Sequence, residues 1–158
     1  AAGAEGIVIC TNTMHRLFAE VEAAVTVPVL HIADPTADAI TAAGLTTVAL
    51  LGTRYTMEQS FYVDRLQAHG LVVIVPEEPD RTVIHDVIYC ELVRGVCDPY
   101  SKAAYLHIIE RLLARGAQGV IAGCTEIELL IGANDLTVPL FATAFLHAQA
   151  AVDFALAE

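Results

Sequence analysis

Two segments of this chain repeat each other. Residues 3–13 (GAEGIVICTNT) align position by position with residues 116–126 (GAQGVIAGCTE), and each copy leads to a segment that begins with Val-Pro, at residues 27–30 and 138–141. A short apolar run that ends in polar residues is typical of a buried parallel strand leading into a helix. The repeat predicts two similar units facing each other across a cleft; chance similarity between two apolar strands is the alternative.

Strands and helices alternate along the chain. Apolar runs predict strands at residues 6–10, 27–32, 47–52, 71–75, 119–123 and 138–141. The segments between and after them predict helices at residues 14–24, 36–43, 56–69, 81–93, 101–115 and 146–157. Strands that alternate with helices indicate an α/β fold built on parallel sheets.

The two predicted units differ in size. Two strands and their helices precede the second copy of the repeat, whereas nothing comparable precedes the first copy. A sheet built on residues 6–10 would therefore expose an unpaired edge, and we expect the first unit to be incomplete at its N-terminus. We assign residues 1–35 and 141–158 to the remainder of the first α/β domain and residues 36–140 to the second.

The composition argues against several classes of function. The net charge is −11 and lysine and arginine total only 8, which disfavours a surface that neutralises nucleic-acid phosphates. The four cysteines, Cys10, Cys90, Cys97 and Cys124, show no CxxC or Cys/His spacing, so we expect neither a disulfide scaffold nor a metal site. No signal-peptide pattern or membrane-length apolar run is present. We therefore expect a cytoplasmic protein without nucleic-acid or membrane partners.

Four motifs carry a likeness to a known family. They are residues 10–15 (CTNTMH), 51–57 (LGTRYTM), 116–119 (GAQG) and 123–127 (GCTEI). In combination they resemble the aspartate/glutamate racemase family, and the similarity runs through essentially the whole chain. The resemblance implies two pseudo-symmetric α/β domains with the active site between them. It also implies an amino-acid substrate, no pyridoxal phosphate, no metal and, since dimers are common among relatives, compatibility with a homodimer.

The resemblance also implies a catalytic pair. Family members use one cysteine to remove the α-proton and a second to reprotonate the opposite face. Cys124 matches the second cysteine, but Thr11 stands at the position of the first, and Cys10 lies one residue early. Because side chains alternate along a strand, Cys10 is not expected to replace Thr11 without a bulge. Two other family positions differ: Asp98 replaces a common lysine and Ala142 a common aspartate.

Polar residues at the predicted strand ends complete the candidate site. We expect backbone N–H groups after the strand to favour the Cys124 thiolate. Neutral donors for the substrate carboxylate are Asn12, Thr13, Thr53, Thr56 and Thr125. His15 and His147 are expected to tune thiolates or relay protons, and Glu126 to orient a histidine or the substrate ammonium. The alternatives are helix capping for the threonines and the asparagine, and a structural thiol for Cys124.

Three classes of function fit these features. The first is an isomerase that acts on aspartate or glutamate, using Cys124 and a donor on the Thr11 side. The second is a lyase, because arylmalonate decarboxylases resemble this family and keep only the second cysteine. The third is an inactive fragment. With one cysteine in place, we expect fast catalysis only for the enantiomer whose α-proton faces Cys124.

Overall fold

The computed structural model describes residues 3–157. Its strands are β1 (Ile7–Val8), β2 (Val29–Leu30), β3 (Thr47–Gly52), β4 (Val72–Ile74), β5 (Val120–Gly123) and β6 (Leu140–Ala142). β1 and β2 form a two-stranded parallel sheet, and the other four form a parallel sheet in the order β4-β3-β5-β6. The predicted α/β class with parallel sheets is confirmed.

The helices cover these sheets and link their strands. They are α1 (Phe18–Ala23), α2 (Ala33–Ala42), α3 (Arg54–Glu58), α4 (Ser60–Ala68), α5 (Asp80–Cys90), α6 (Pro99–Ala114), α7 (Ile127–Leu130) and α8 (Thr143–Leu156). Short 3₁₀ helices lie at Thr13–Leu17, Leu92–Arg94 and Ala133–Asp135. Within residues 3–157, no helix is both long and apolar enough to cross a membrane.

Several predicted elements differ from the observed ones at their ends. The predicted strand at residues 6–10 is only two residues long, and the predicted helix at 56–69 is two helices. Gln59 separates these helices because its backbone is extended, with φ −83° and ψ 143°. The first of them begins early, at Arg54, because the Thr53 hydroxyl accepts the Thr56 N–H as an N-cap.

The four-stranded sheet separates two apolar layers. Val48 and Leu50 of β3 belong to the layer formed with α2 and α4, whereas Ala49 and Leu51 belong to the layer formed with α5 and α6. All four side chains are fully buried. Alternating strand residues therefore enter opposite layers, as expected for a parallel sheet covered on both faces. Burying one such leucine stabilises the fold by about 1.5–3 kcal/mol.

The smaller sheet is held through α8. His147 on α8 lies with Nε2 3.1 Å from the Leu30 carbonyl oxygen of β2. At Gly6, an added Cβ would lie 2.7 Å from the Phe154 ring of the same helix, so a larger residue here would displace that ring. β6 spans the proposed boundary between residues 140 and 141. The division into two domains stays a prediction.

Candidate active site

Polar residues meet where two central strands end. β3 and β5 are adjacent, with Gly52 paired to Gly123, and Thr53 and Cys124 follow these glycines directly. An added Cβ at Gly52 would lie 2.9 Å from the Gly123 carbonyl oxygen and 3.1 Å from Cβ of Thr56. Glycine here therefore lets Thr56 lie close to both strand ends. The carboxyl edge of a parallel α/β sheet is also where such folds bind ligands.

Three threonine hydroxyls form a triangle at this edge. Thr13 Oγ1 lies 2.9 Å from Thr53 Oγ1 and 3.3 Å from Thr56 Oγ1, and the last two oxygens are 3.2 Å apart. Thr56 is fully buried, Thr53 nearly so and Thr13 half-buried. The structure thus brings the first repeat, through Thr13, to the end of β3. Thr53 also caps α3, and its role in substrate binding stays a prediction.

Cys124 and Thr125 both donate to one carboxylate oxygen. Sγ of Cys124 lies 2.9 Å from Oε2 of Glu126, and Oγ1 of Thr125 lies 2.8 Å from the same atom. Burial, reinforced by the Glu126 carboxylate, raises the pKa of Cys124 to about 12. Burial acts to raise the pKa of Glu126 too, but the hydrogen bonds from Cys124 and Thr125 bring it below its ordinary value. The resting pair is therefore a neutral thiol and an ionised carboxylate.

This protonation state differs from the sequence-based expectation of a thiolate. Backbone N–H groups of Thr125 and Glu126 do lower the pKa of Cys124, but burial and the carboxylate outweigh them. The helix that follows, α7, has only four residues, so its dipole is small. Glu126 was expected to orient a histidine or the substrate ammonium; its hydrogen bonds within the described chain go to Cys124 and Thr125.

The first repeat places Asn12 in a buried position that is 3% exposed. Its Nδ2 donates to Oγ1 of Thr143 at 3.0 Å, and Thr143 donates to the Ala122 carbonyl oxygen of β5 at 2.8 Å. Asn12 begins the 3₁₀ helix without a side-chain cap bond. Thr11, the neighbouring residue, is half-buried and precedes the capping position. Helix capping therefore does not account for Thr11.

The two histidines predicted to lie in the site, His15 and His147, form hydrogen bonds with backbone groups. Nε2 of His15 accepts the Ile32 N–H at 3.1 Å, so Nδ1 carries the proton and donates to the Thr11 carbonyl oxygen at 2.8 Å. His147 binds Leu30 as described, and the His15 and His147 rings are 5.7 Å apart. Burial lowers the pKa of both histidines. As neutral rings they fix the turn that carries Thr11 against β2 and α8.

A small cavity joins the two repeats. Its volume is about 180 Å³, and Cys10, Thr125 and His147 line it together with apolar side chains. β1 ends at Val8, and the Thr11 N–H turns back to the Ile9 carbonyl oxygen at 2.8 Å. The alternation of side chains along a strand, which predicts that Cys10 cannot replace Thr11, therefore does not apply at this position. A larger cavity of about 370 Å³ shares only His15 with the residues predicted from sequence, so we place the cleft at the smaller one.

Sequence reasoning missed two tyrosines beside Cys124 and the bridging Thr143. Tyr105 is fully buried and donates to the Ile84 carbonyl oxygen at 2.8 Å; burial raises its pKa, and the nearby Cys124 adds to this. Burial also raises the pKa of Tyr89, with Tyr55, Cys124 and Glu126 contributing. These side chains come from α5 and α6, and nothing in their local sequence points to the end of β5. Asp98, at the family's lysine position, accepts the Tyr100 N–H at 2.7 Å and caps α6.

Comparison with known proteins identifies the class to which this fold and site belong. The family model for Asp/Glu/Hydantoin racemase matches residues 1–151. The chain therefore belongs to the Asp/Glu/Hydantoin racemase family, a class of isomerases. Among residues 3–157, no group of three or more histidine, cysteine, aspartate or glutamate side chains is arranged to hold a metal ion.

Particular relatives agree with this class. A candidate Asp/Glu racemase from Yersinia pestis has a crystal structure that superposes with a TM-score of 0.93 at 52% identity, covering 99% of this chain and 68% of that one. An aspartate racemase homologue from Pyrococcus horikoshii OT3 gives 0.89 at 36% identity, covering 98% and 68%. The broad specificity amino-acid racemase RacX of Bacillus subtilis (strain 168) is 24% identical, covering 98% of this chain and 66% of RacX. The chain thus spans about two thirds of the length of each of these three proteins.

Proposed function

We propose that this chain racemises an amino acid without a cofactor, by α-proton transfer at Cys124 on one face and a donor on the Thr11 side of the other. The observation that carries the proposal is the 2.9 Å contact between Cys124 Sγ and Glu126 Oε2 at the end of β5. A thiol with an adjacent proton acceptor is the arrangement that acid–base chemistry at carbon needs. Aspartate and glutamate are the expected substrates, in keeping with the family.

Cys124 acts as acid and as base in the two directions of the reaction. As an acid, the neutral thiol gives its proton to the substrate carbanion: the S–H bond breaks, the Cα–H bond forms and a thiolate remains. As a base, Cys124 must first pass its proton to Glu126, an uphill transfer because the pKa of Cys124 lies well above that of Glu126. The thiolate then takes the α-proton while the electron pair stays on the substrate. A thiolate whose conjugate acid has a pKa of about 12 is a stronger base than an ordinary cysteine.

The remaining residues stabilise the substrate. The hydroxyls of Thr13, Thr53 and Thr56 rotate freely about their C–O bonds, so they can turn from one another to a substrate carboxylate. Such donors matter most where negative charge develops, which here is the carboxylate of the carbanion. Glu126 attracts the substrate ammonium while it is ionised, before it accepts the Cys124 proton. A threonine hydroxyl is a weak acid and base, so the Thr11 side transfers protons slowly.

The test is α-proton exchange in deuterated buffer. L- and D-aspartate and L- and D-glutamate are incubated with the wild type, with Cys124→Ala and with Cys90→Ala, an exposed cysteine on α5, as the matched control. We expect exchange that falls about 10²- to 10⁴-fold in Cys124→Ala. We also expect it to be retained in Cys90→Ala and to be much faster for one enantiomer. Exchange that survives in Cys124→Ala, or equal rates for both enantiomers of one substrate, would overturn the proposal.

A lyase is the second candidate, and the protonation state of Cys124 favours it. A neutral thiol is ready to protonate a carbanion formed by loss of CO₂: the C–C bond breaks, the electron pair stays on carbon and the thiol proton completes the product. CO₂ release from an aryl-substituted malonate, together with no exchange of the four amino acids, would establish this function. If neither activity is detected, the chain is an inactive fragment or acts on another substrate.

A further inference from the structure

Thr143 bridges the two halves of the candidate site. It is the first residue of α8 and fully buried. Its Oγ1 donates to the Ala122 carbonyl oxygen at 2.8 Å and accepts from Nδ2 of Asn12 at 3.0 Å. Ala122 lies on β5, two residues before Cys124, and Asn12 follows Thr11. One hydroxyl therefore links the strand that carries the thiol to the turn that carries its counterpart.

The bridge also determines how the Asn12 amide is oriented. A threonine hydroxyl has one proton, and Thr143 uses it on Ala122. Oγ1 can then only accept from Asn12, so the NH₂ group of Asn12 must face Thr143 and its carbonyl oxygen must face away. An amide orientation is determined by its hydrogen-bond network, and this network permits one orientation.

The outward oxygen is left without a donor. Oδ1 of Asn12 is buried and has no hydrogen-bond partner among residues 3–157. An unpaired buried acceptor is costly, and such groups in native proteins usually mark a bound water, an ion or a functional contact. An N–H or an O–H donor can satisfy this oxygen, and the ammonium of an amino acid is an N–H donor.

We infer that Thr143 is a positioning residue: it holds Asn12 so that Oδ1 accepts a hydrogen bond from the ammonium of the bound amino acid. The inference rests on the proposed function for the identity of the ligand. Its consequence is that removing the Thr143 hydroxyl weakens binding of an amino acid. Binding of an analogue that has the same carboxylates but no ammonium is unaffected.

The experiment compares Thr143→Val, which removes the hydroxyl at equal size, with Thr143→Ser, which keeps it. Thr36→Val is the matched control, because Thr36 is also fully buried and donates only to a helix carbonyl, that of Ile32, at 3.0 Å. Binding is measured by NMR titration, following the side-chain NH₂ signals of Asn12, with aspartate and succinate or with glutamate and glutarate. Unfolding by urea shows whether each variant is folded.

We expect Thr143→Val to shift the Asn12 NH₂ signals and to weaken amino-acid binding about tenfold, with the deamino analogue unchanged. In Thr143→Ser, the Asn12 signals and the affinity for the amino acid should match those of the wild type. Thr36→Val should lower stability without changing the Asn12 signals or the amino-acid affinity. Unchanged Asn12 signals in Thr143→Val would overturn the inference. So would shifted signals with unchanged amino-acid binding, the result expected if a buried water satisfies Oδ1. An equal loss for the deamino analogue would also overturn it.

Failure of the proposed function gives a different result. If the wild type shows no α-proton exchange but aspartate or glutamate still shifts the Asn12 signals, the binding inference stands and the catalytic proposal falls. If Thr143→Val does not fold, Thr143→Ser decides: its Asn12 signals and its amino-acid affinity must match the wild type, and a tenfold loss there contradicts the inference.

Discussion

The two repeats are alike in sequence but differ in what surrounds them. Thr11 and Cys124 occupy equivalent positions, as do Thr13 and Glu126. In the second repeat the pair is a thiol and a carboxylate in direct contact, whereas Thr13 in the first repeat joins the hydroxyl triangle. The contact between a thiol and a carboxylate therefore lies in the second repeat. The first repeat supplies hydrogen bonds.

The sheets that carry the repeats differ in the same way. β5 lies between β3 and β6, and its side chains are fully buried, whereas β1 pairs only with β2 among the described strands and its Val8 is 37% exposed. A two-stranded sheet is marginally stable by itself. The comparison teaches that the thiol–carboxylate pair follows a strand paired on both sides, whereas Asn12 and Thr13 follow a strand with one neighbour among those described.

The largest expected effect concerns this difference in packing. Val8 and Ile121 are equivalent in the two repeats, but Ile121 is fully buried. Ile121→Ala should lower the free energy of unfolding by about 2–5 kcal/mol, since it leaves a cavity in the layer formed with α2 and α4. Val8→Ala should cost about 1 kcal/mol or less. Urea unfolding measures both, and similar losses would contradict the comparison.

The next effect concerns the carboxylate. Glu126→Gln removes the group that takes the Cys124 proton, so exchange that needs Cys124 as a base should fall about 100-fold. Because Glu126 also helps to raise the pKa of Cys124, the variant's thiol should be alkylated at lower pH than the wild-type thiol. Iodoacetamide labelling against pH reports this shift. Glu128→Gln, on the neighbouring helix α7, is the matched control and should change neither property. An unshifted labelling profile for Glu126→Gln would contradict the assignment.

A smaller effect is expected from making the repeats more alike. Thr11→Cys restores a thiol on the opposite face, so exchange of the slow enantiomer should rise about tenfold while the fast one changes little. Cys10→Ala is the companion variant, because Cys10 lines the same cavity as Thr125. It should leave both rates unchanged. Loss of slow-face exchange in Cys10→Ala would show instead that Cys10, not Thr11, serves that face.

The smallest effect concerns pH and His31, which directly follows β2. Burial, with His15 nearby, lowers the pKa of His31 from 6.5 to about 3. The unfolded chain therefore takes up a proton below pH 6.5 that the folded chain refuses, so stability is complete above that pH and falls as the pH decreases towards 3. Lowering the pH by one unit from 6.5 should reduce the free energy of unfolding by about 1 kcal/mol through His31. Urea unfolding of His31→Gln should show a loss smaller by this amount, and an identical loss would contradict the prediction.

Much of the fold could be predicted because the signals are local. The apolar run at residues 47–52 is a strand with those same ends, and the helix predicted to end at residue 69 ends at Ala68, just before Gly70 with its φ of 82°. The strand at residues 6–10 was overestimated because apolar residues alone do not hold a strand. Strand length also depends on how far a partner runs alongside, and β2 offers only two paired residues.

The sequence by itself determined the α/β order, the repeat and the placement of Cys124 at the end of a buried strand, since each depends on neighbouring residues. Only the tertiary structure decided which side chains meet. Thr13 reaches Thr53 across 40 residues, and Asn12 reaches Thr143 across 131. It also decided that the Cys124 thiol keeps its proton. The free energy of ionisation depends on burial and on the Glu126 carboxylate, and both arise from the folded chain around the thiol.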